Sequence, residues 1–122
     1  SLGVILFEMI VGFPPFFSDS PTETCKKIFN WKQYLIFPSD CKITPEAKDL
    51  IKKLVTDIDK RLGHTGANEI KEHPFFKGID WNNIRSIKPV FIPKIKDVLD
   101  IQYFDKFDEE EPFYPQSEDT GK

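Results

Sequence analysis

The feature that most constrains the fold of this chain is an apolar stretch near its start, Leu2–Val11, which reads LGVILFEMIV. Its periodicity predicts a helix with apolar side chains on nearly every side, so other elements must cover the helix all around. Gly12 is placed to end it. A bilayer requires about twenty apolar residues, and this shorter run contains Glu8, so a membrane span is not expected. No basic region precedes it, which argues against a signal peptide.

Composition favours one folded domain followed by a segment of different character. The chain has 122 residues, of which 39% are hydrophobic and 14% aromatic, enough for one core. Its net charge of −3 argues against a nucleic-acid-binding protein. Residues 1–96 hold fifteen basic and eleven acidic residues, whereas the part from Asp97 onward holds nine acids and two lysines. This break marks a boundary in the chain.

The cysteines and histidines give no sign of a metal centre. Cys25 and Cys41 lack the spacing of metal ligands or of a disulfide framework, so free intracellular thiols are expected. His64 and His73 are isolated, and we predict no metal site. The expected location is the cytoplasm, and also the nucleus.

Two helix starts carry the same cap-then-proline pattern. Ser20 can cap a helix that begins at Pro21, with Glu23 as the partner of a capping box. Thr44-Pro45 repeats the pattern. Both dipeptides also match the targets of proline-directed phosphorylation. The sequence favours helix caps over phosphorylation sites.

The second start leads into the clearest amphipathic helix, whose apolar residues recur at helical spacing: Ala47, Leu50, Ile51, Leu54 and Val55. Before it, residues 31–38 (WKQYLIFP) predict an extended connector. After it, we predict a short helix over 67–72 that ends before His73, because a residue preceding proline avoids helical geometry. A helical turn is expected over 80–85. Residues 87–122 hold four prolines and predict a chain that wraps a surface.

The order of these pieces resembles the eukaryotic protein kinases. The central helix and following turn of the kinase large lobe resemble SLGVILFEMIVGFPPF, and its late helix, arginine turn and closing signature resemble ITPEAKDLIKKLVTDIDKRLG and HPFF. The tail of AGC-group kinases is similar to FFKGIDWNNIR, PVFIPKIK and YFDKFDEEE. Within that group, FNWKQYLIFP and DWNNIR are most similar to the NDR/LATS branch of the Hippo pathway.

This resemblance implies a mainly α fold, the C-terminal half of a kinase large lobe over 1–76 followed by an extended AGC-type tail over 77–122. The sequence contains no Gly-rich loop, strand lysine, H-R-D loop or D-F-G metal-binding aspartate, so no catalytic residue is assigned. We therefore expect a severed, inactive piece of a kinase that transfers the ATP γ-phosphate to protein Ser/Thr. The alternative is a non-catalytic helical scaffold or pseudokinase interaction module.

Several residues receive structural roles from the resemblance. Arg61 matches the late-lobe arginine that pairs with a glutamate ending the activation segment, since a buried guanidinium requires a carboxylate partner. A surface arginine in a Gly-rich turn is the alternative. Pro89, Phe91 and Pro93 match the segment that fastens the tail to the lobes. Their proline spacing also suits a polyproline ligand, but the interleaved apolar residues favour docking.

The end of the chain is expected to serve the nucleotide and substrate sites. Phe104 matches the tail phenylalanine that packs near adenine, with Phe107 as a second anchor; plain packing is the alternative for both. A run of acids would favour basic residues in the substrate, although a solvated charge run is the alternative. The run comprises Asp108, Glu109, Glu110 and Glu111.

The resemblance also implies the cofactors and partners. The complete kinase would use ATP and Mg²⁺, while this piece alone would bind neither. Its partners would be protein substrates with basic residues near the Ser/Thr, which dock around Phe16–Phe29, and the upstream lobes of the same chain. Activators of the MOB type would bind elsewhere. The regulatory hydrophobic motif of the family is not matched by EPFYPQSEDTGK.

Overall fold

The computed structural model describes residues 1–108, and every regular element in this part of the chain is helical. None of these helices is long and apolar enough to cross a membrane. The elements, in chain order, are the α-helices α1 (Leu2–Val11), α2 (Pro21–Phe29), α3 (Trp31–Tyr34), α4 (Pro45–Leu54) and α5 (Ala67–Lys71), with 3₁₀ turns at Ile58–Lys60, Pro74–Phe76 and Ile84–Ser86. The prediction of a mainly α fold is confirmed.

The chain divides into two compact units, Ser1–Ile87 and the part from Lys88 onward. Residues just after the 3₁₀ turn at Pro74–Phe76 belong to the first unit. There the ring of Trp81 lies 5.1 Å from that of Phe76 in an edge-to-face contact. The boundary between lobe and tail after Phe76 was predicted from family resemblance, whereas the two units are defined by their internal contacts. The predicted boundary therefore stays a prediction.

Helix α1 has the predicted bounds and the predicted end. Gly12 adopts the left-handed conformation, with φ of 96°, and its N–H donates to the Glu8 carbonyl. At the other end of the helix, Gly3 allows α1 to approach α4 closely. A Cβ atom at Gly3 would lie 2.7 Å from Leu54 Cβ and 2.8 Å from Val55 Cγ2, which is too near for either neighbour to remain in place.

The burial predicted for α1 on every side is only partly present in residues 1–108. Phe7 is fully buried, and α4 covers the side of the helix on which Gly3 lies. On other sides, Ile5 is 53% exposed and Met9 76%. No other described helix has comparable contact with α1, so much of its apolar surface is uncovered.

Helices α2 and α4 both begin at their predicted prolines, but their caps differ. The Thr44 hydroxyl accepts a hydrogen bond from the Ala47 N–H at 3.2 Å. The Ser20 side chain forms no cap bond, and Glu23 pairs with Lys26 at 3.8 Å. The predicted capping box is therefore wrong, because its glutamate points to a neighbouring lysine.

The connector after α2 also differs from the prediction. Residues Trp31–Tyr34 form one helical turn, because the Asn30 carbonyl accepts from the N–H groups of Gln33 and Tyr34 at 2.9 and 3.3 Å. The segment is irregular from Leu35 onward, so the prediction of an extended connector was wrong for its first half. The turn predicted over 80–85 is present as a turn followed by the 3₁₀ segment Ile84–Ser86.

His73 joins α4 to the 3₁₀ turn at Pro74–Phe76. Its ring is buried, and Nδ1 accepts from the Phe75 N–H at 3.1 Å. Because Nδ1 is an acceptor, the proton lies on Nε2, which donates to Asp49 Oδ2 at 2.8 Å. Lys53 Nζ contacts the same oxygen at 2.7 Å. The hydrogen bond from Lys53, followed by that from His73, lowers the pKa of Asp49 below its ordinary 3.8.

This arrangement predicts how acid destabilises the first unit. A carboxylate with a lowered folded-state pKa contributes stability above its unfolded pKa and loses it as the pH falls through the folded value. Asp49→Asn should remove this contribution while its amide oxygen can still accept from His73. We expect the urea midpoint of the variant to fall less steeply below about pH 4 than that of the wild type.

The matched control for this measurement is Asp59→Asn, which neutralises an exposed carboxylate outside the His73 contact. Its acid profile should follow the wild type. Equal flattening of the two variants would contradict a specific contribution from Asp49.

Candidate docking groove and tail loop

A groove of about 600 Å³ lies on the surface of the first unit and is bordered by α1, α2 and the chain that follows α4. Its walls are mainly apolar, and Arg61 lies at its edge. The complete set of lining residues is Ser1, Val4, Ile5, Pro14, Phe16, Phe17, Thr24, Ile28, Trp31, Leu54, Val55, Thr56 and Arg61.

The groove exists because α2 stands away from the core. Helix α2 buries none of its residues, and Ile28 is 51% exposed on the groove wall. Phe16 is only 6% exposed, so it joins the groove to the core. Lys32 Nζ lies 3.2 Å from Asp57 Oδ2 and links α3 to the turn after α4. The groove is thus an open apolar surface between α1 and α2.

The Arg61 side chain is held by a backbone carbonyl, but some of its N–H donors have no partner among residues 1–108. Its Nε and Nη2 donate to the Thr56 carbonyl at 3.2 and 2.9 Å. The side chain is exposed and forms no salt bridge within residues 1–108. A guanidinium carries five N–H donors in a planar fork. Three of them therefore remain available to a carboxylate that enters the groove.

The structure separates the residues predicted to form a protein-docking face at Phe16–Phe29. Phe16, Phe17 and Thr24 line the groove. Phe29 does not line it and is 87% exposed. The face is therefore composed of a groove wall and a separate projecting aromatic ring, and its role in substrate docking stays a prediction.

The second unit contains a closed loop between Lys94 and Tyr103. The Lys94 N–H donates to the Tyr103 hydroxyl at 3.2 Å, and Gln102 Nε2 donates to the Lys94 carbonyl at 2.8 Å. The Tyr103 ring also contacts Phe91 edge to face, with centroids 6.0 Å apart. These contacts hold the two ends of the loop together.

Asp100 organises the interior of this tail loop, the segment 94–103. Its carboxylate accepts from the Lys96 N–H at 2.8 Å and from the Gln102 N–H at 3.0 Å. The hydrogen bond from the Lys96 N–H, followed by that from the Gln102 N–H, lowers the pKa of Asp100. The sequence interpretation missed both Asp100 and Gln102. A usable signal was present, since aspartate side chains often bond to nearby backbone N–H groups in turns.

The predicted tail residues have the following environments. Phe104 and Phe107 are 73% and 84% exposed, and Asp108 is exposed. Glu109, Glu110 and Glu111 lie outside the described residues. Pro89, Phe91 and Pro93 are exposed as well, and of these Phe91 has the contact with Tyr103. Among residues 1–108, no three His, Cys, Asp or Glu side chains are grouped so as to hold a metal ion.

The hydroxyl of Tyr103 should protect the Lys94 amide from exchange with solvent. Tyr103→Phe keeps the ring contact with Phe91 but removes the acceptor. We expect the Lys94 amide to exchange about fivefold faster, since one such hydrogen bond contributes about 1 kcal/mol. NMR-detected hydrogen exchange measures this rate. Tyr34→Phe is the control, and an unchanged Lys94 rate in Tyr103→Phe would show that the loop closes without this bond.

Comparison with known proteins assigns the chain to a class. No protein-family model matches it. It is 51% identical over 108 residues to the serine/threonine-protein kinase CBK1 of Pneumocystis carinii. The aligned region covers 88% of this chain and 21% of that kinase. Identity to CBK1 of Saccharomyces cerevisiae is also 51%, over 105 residues. The serine/threonine-protein kinase sax-1 of Caenorhabditis briggsae is 48% identical over 118 residues.

The helical fold and these identities define the class as serine/threonine-protein kinases. Within that class, the chain belongs to the NDR/LATS branch, which confirms the family predicted from the sequence. The chain spans only 14–25% of the length of these three relatives.

Proposed function

We propose that this chain is the late part of the large lobe, with its tail, of an enzyme that transfers the ATP γ-phosphate to serine and threonine hydroxyls of proteins. The observation that carries the proposal is the identity of about half of the residues to named serine/threonine-protein kinases over most of the chain. Bound with Mg²⁺, ATP would supply the phosphoryl group. MOB-type activators and a cytoplasmic or nuclear location rest on the family resemblance alone.

In this proposal, the chain supplies support and recognition rather than chemistry. The catalytic base, metal ligands and phosphate-binding lysine would come from other parts of the polypeptide. Helices α1 and α4 would form part of the lobe core. The tail would contribute Phe104 and Phe107 to the nucleotide site, and Asp108–Glu111 would favour basic residues in the protein substrate.

The same proposal assigns an occupant to the groove. An apolar segment of the kinase polypeptide that ends in a glutamate would lie along Ile5 and Ile28, with its carboxylate on Arg61. The apolar walls and the three spare donors of Arg61 support this assignment. A bidentate guanidinium–carboxylate pair would fix the segment in one position.

Substitution of Arg61 in the complete kinase tests this occupant. Arg61→Gln should lower the free energy of unfolding by about 3–5 kcal/mol if the carboxylate is buried in the groove. Arg61→Lys keeps the charge but loses the planar fork, so it should restore only part of the loss. Denaturant unfolding gives these values.

Lys60→Gln is the matched control, because it removes a neighbouring exposed charge that does not line the groove. If Arg61→Gln destabilises the kinase no more than Lys60→Gln does, Arg61 is a surface residue and the groove occupant is wrong.

The nucleotide role of the tail requires a kinetic test in the complete protein. Phe104→Ala should raise KM for ATP about tenfold, because the truncation would remove the ring that the proposal places against adenine. Phe29→Ala removes another exposed ring, this one from the first unit, and should leave KM for ATP unchanged when a short peptide is the substrate. Equal KM values for Phe104→Ala and the wild type would remove Phe104 from the nucleotide site.

The same assay distinguishes an active kinase from a scaffold. Transfer of labelled phosphate from MgATP to a Ser/Thr peptide is expected, together with in-frame H-R-D and D-F-G motifs in the complete transcript. Motifs without their aspartates, combined with no transfer, would establish the non-catalytic scaffold or pseudokinase instead.

A further inference from the structure

The chain contains two serine or threonine residues followed by proline, Ser20 and Thr44. Proline at this position is the feature that proline-directed kinases require in their substrates. Both residues have the extended backbone that a following proline favours, with φ and ψ of −106° and 126° at Ser20 and −66° and 151° at Thr44. By sequence and by backbone conformation, therefore, Ser20 and Thr44 are equally suited to a proline-directed kinase.

Their hydroxyl groups are in different states. The Thr44 hydroxyl accepts from the Ala47 N–H at 3.2 Å, and Thr44, like Ser20, is exposed. The Ser20 side chain is exposed and makes no cap hydrogen bond. Phosphorylation of Thr44 would disturb an existing cap, whereas the Ser20 hydroxyl is free to react.

The helices that follow the two sites also differ, because α2 can open more easily than α4. A protein kinase binds its substrate as an extended strand, so the first turn after the proline must open. Helix α2 buries no residue, and opening its first turn exposes little apolar surface. Helix α4 buries Ala47 in its first turn and Leu50, Ile51 and Leu54 beyond it. Opening α4 therefore disturbs the core, and opening α2 does not.

We propose that Ser20 is a phosphorylation site for a proline-directed serine/threonine kinase and that Thr44 is protected by the fold. The Ser20 Oγ attacks the γ-phosphorus of ATP and forms a new P–O bond. The bond from the γ-phosphorus to the β–γ bridging oxygen breaks, and its electron pair leaves with ADP. The hydroxyl proton passes to the catalytic carboxylate of the modifying kinase. The modification itself is independent of the function proposed above, whereas its effect on the groove occupant rests on that function.

The modification would alter the charge beside the groove. A phosphoserine carries about −1.5 to −2 charges at neutral pH. At position 20 it would lie in sequence between Phe17 and Thr24, both of which line the groove, and one residue after Asp19. Added negative charge there would disfavour an acidic occupant.

The complete protein that contains this chain, incubated with MgATP and a purified proline-directed kinase, tests the proposal. Peptides covering residues 14–26 and 38–50 report the intrinsic reactivity of each site. We expect both peptides to be phosphorylated, and Ser20 to react at least about tenfold faster than Thr44 in the complete protein, since only α4 must disrupt its core contacts to open. Mass spectrometry of proteolytic fragments gives both rates.

Three variants make the result specific. Ser20→Ala and Pro21→Ala should abolish incorporation at this site, whereas Ser18→Ala, which removes a serine not followed by proline, should leave it unchanged. Comparable rates at Ser20 and Thr44 in the complete protein would overturn the proposal. So would an unreactive Ser20 in the complete protein when its peptide is a good substrate, or undiminished incorporation in Ser20→Ala.

Discussion

The close packing of α1 against α4 is the contact on which the rest of the first unit depends. It is possible because Gly3 has no side chain where Leu54 and Val55 approach. The same two helices bury Phe7 and Leu50 completely. Burial of each large apolar side chain contributes about 1.5–3 kcal/mol, so this one interface holds most of the described core. The other segments attach to it through caps, turns and single side chains.

The one-sided position of this core explains the open groove. Helix α1 is apolar on nearly all sides but receives α4 on one of them, so Ile5 remains on the groove wall. Helix α2 contributes Ile28 to the opposite wall without burying any residue of its own. An apolar groove beside a guanidinium with spare donors is suited to an apolar segment that carries a carboxylate. The function proposed above assigns that segment to another part of the same polypeptide.

Local sequence signals predicted the helices better than the contacts between them. Gly12 correctly predicted the C-terminus of α1, and Pro21 and Pro45 correctly predicted the starts of α2 and α4. Such signals work because backbone restrictions act within a few residues. The capping box at Ser20 failed because Glu23 has a competing partner in Lys26, which the cap pattern does not weigh. The exposure of α1 could not be predicted from periodicity, since it depends on which neighbours are present.

The candidate site was predictable in its parts and not in its arrangement. Arg61 was identified by family resemblance, but its two bonds to the Thr56 carbonyl arise from the folded turn. The tail loop was missed because its closure joins Lys94 to Tyr103 and Gln102, residues eight or nine positions apart with no shared periodicity. Asp100 could have been noticed as a turn residue, but its two backbone partners appear only in three dimensions.

The hydrogen bonds of His73 give its imidazole a single allowed orientation. One nitrogen receives from Phe75 and the other gives to Asp49. A half-turn of the ring about its Cβ–Cγ bond would put carbon atoms at both places and forfeit the two bonds together. The ring is also buried, so water cannot replace them. His73 thus holds the start of the 3₁₀ turn at Pro74–Phe76 against α4 in one orientation.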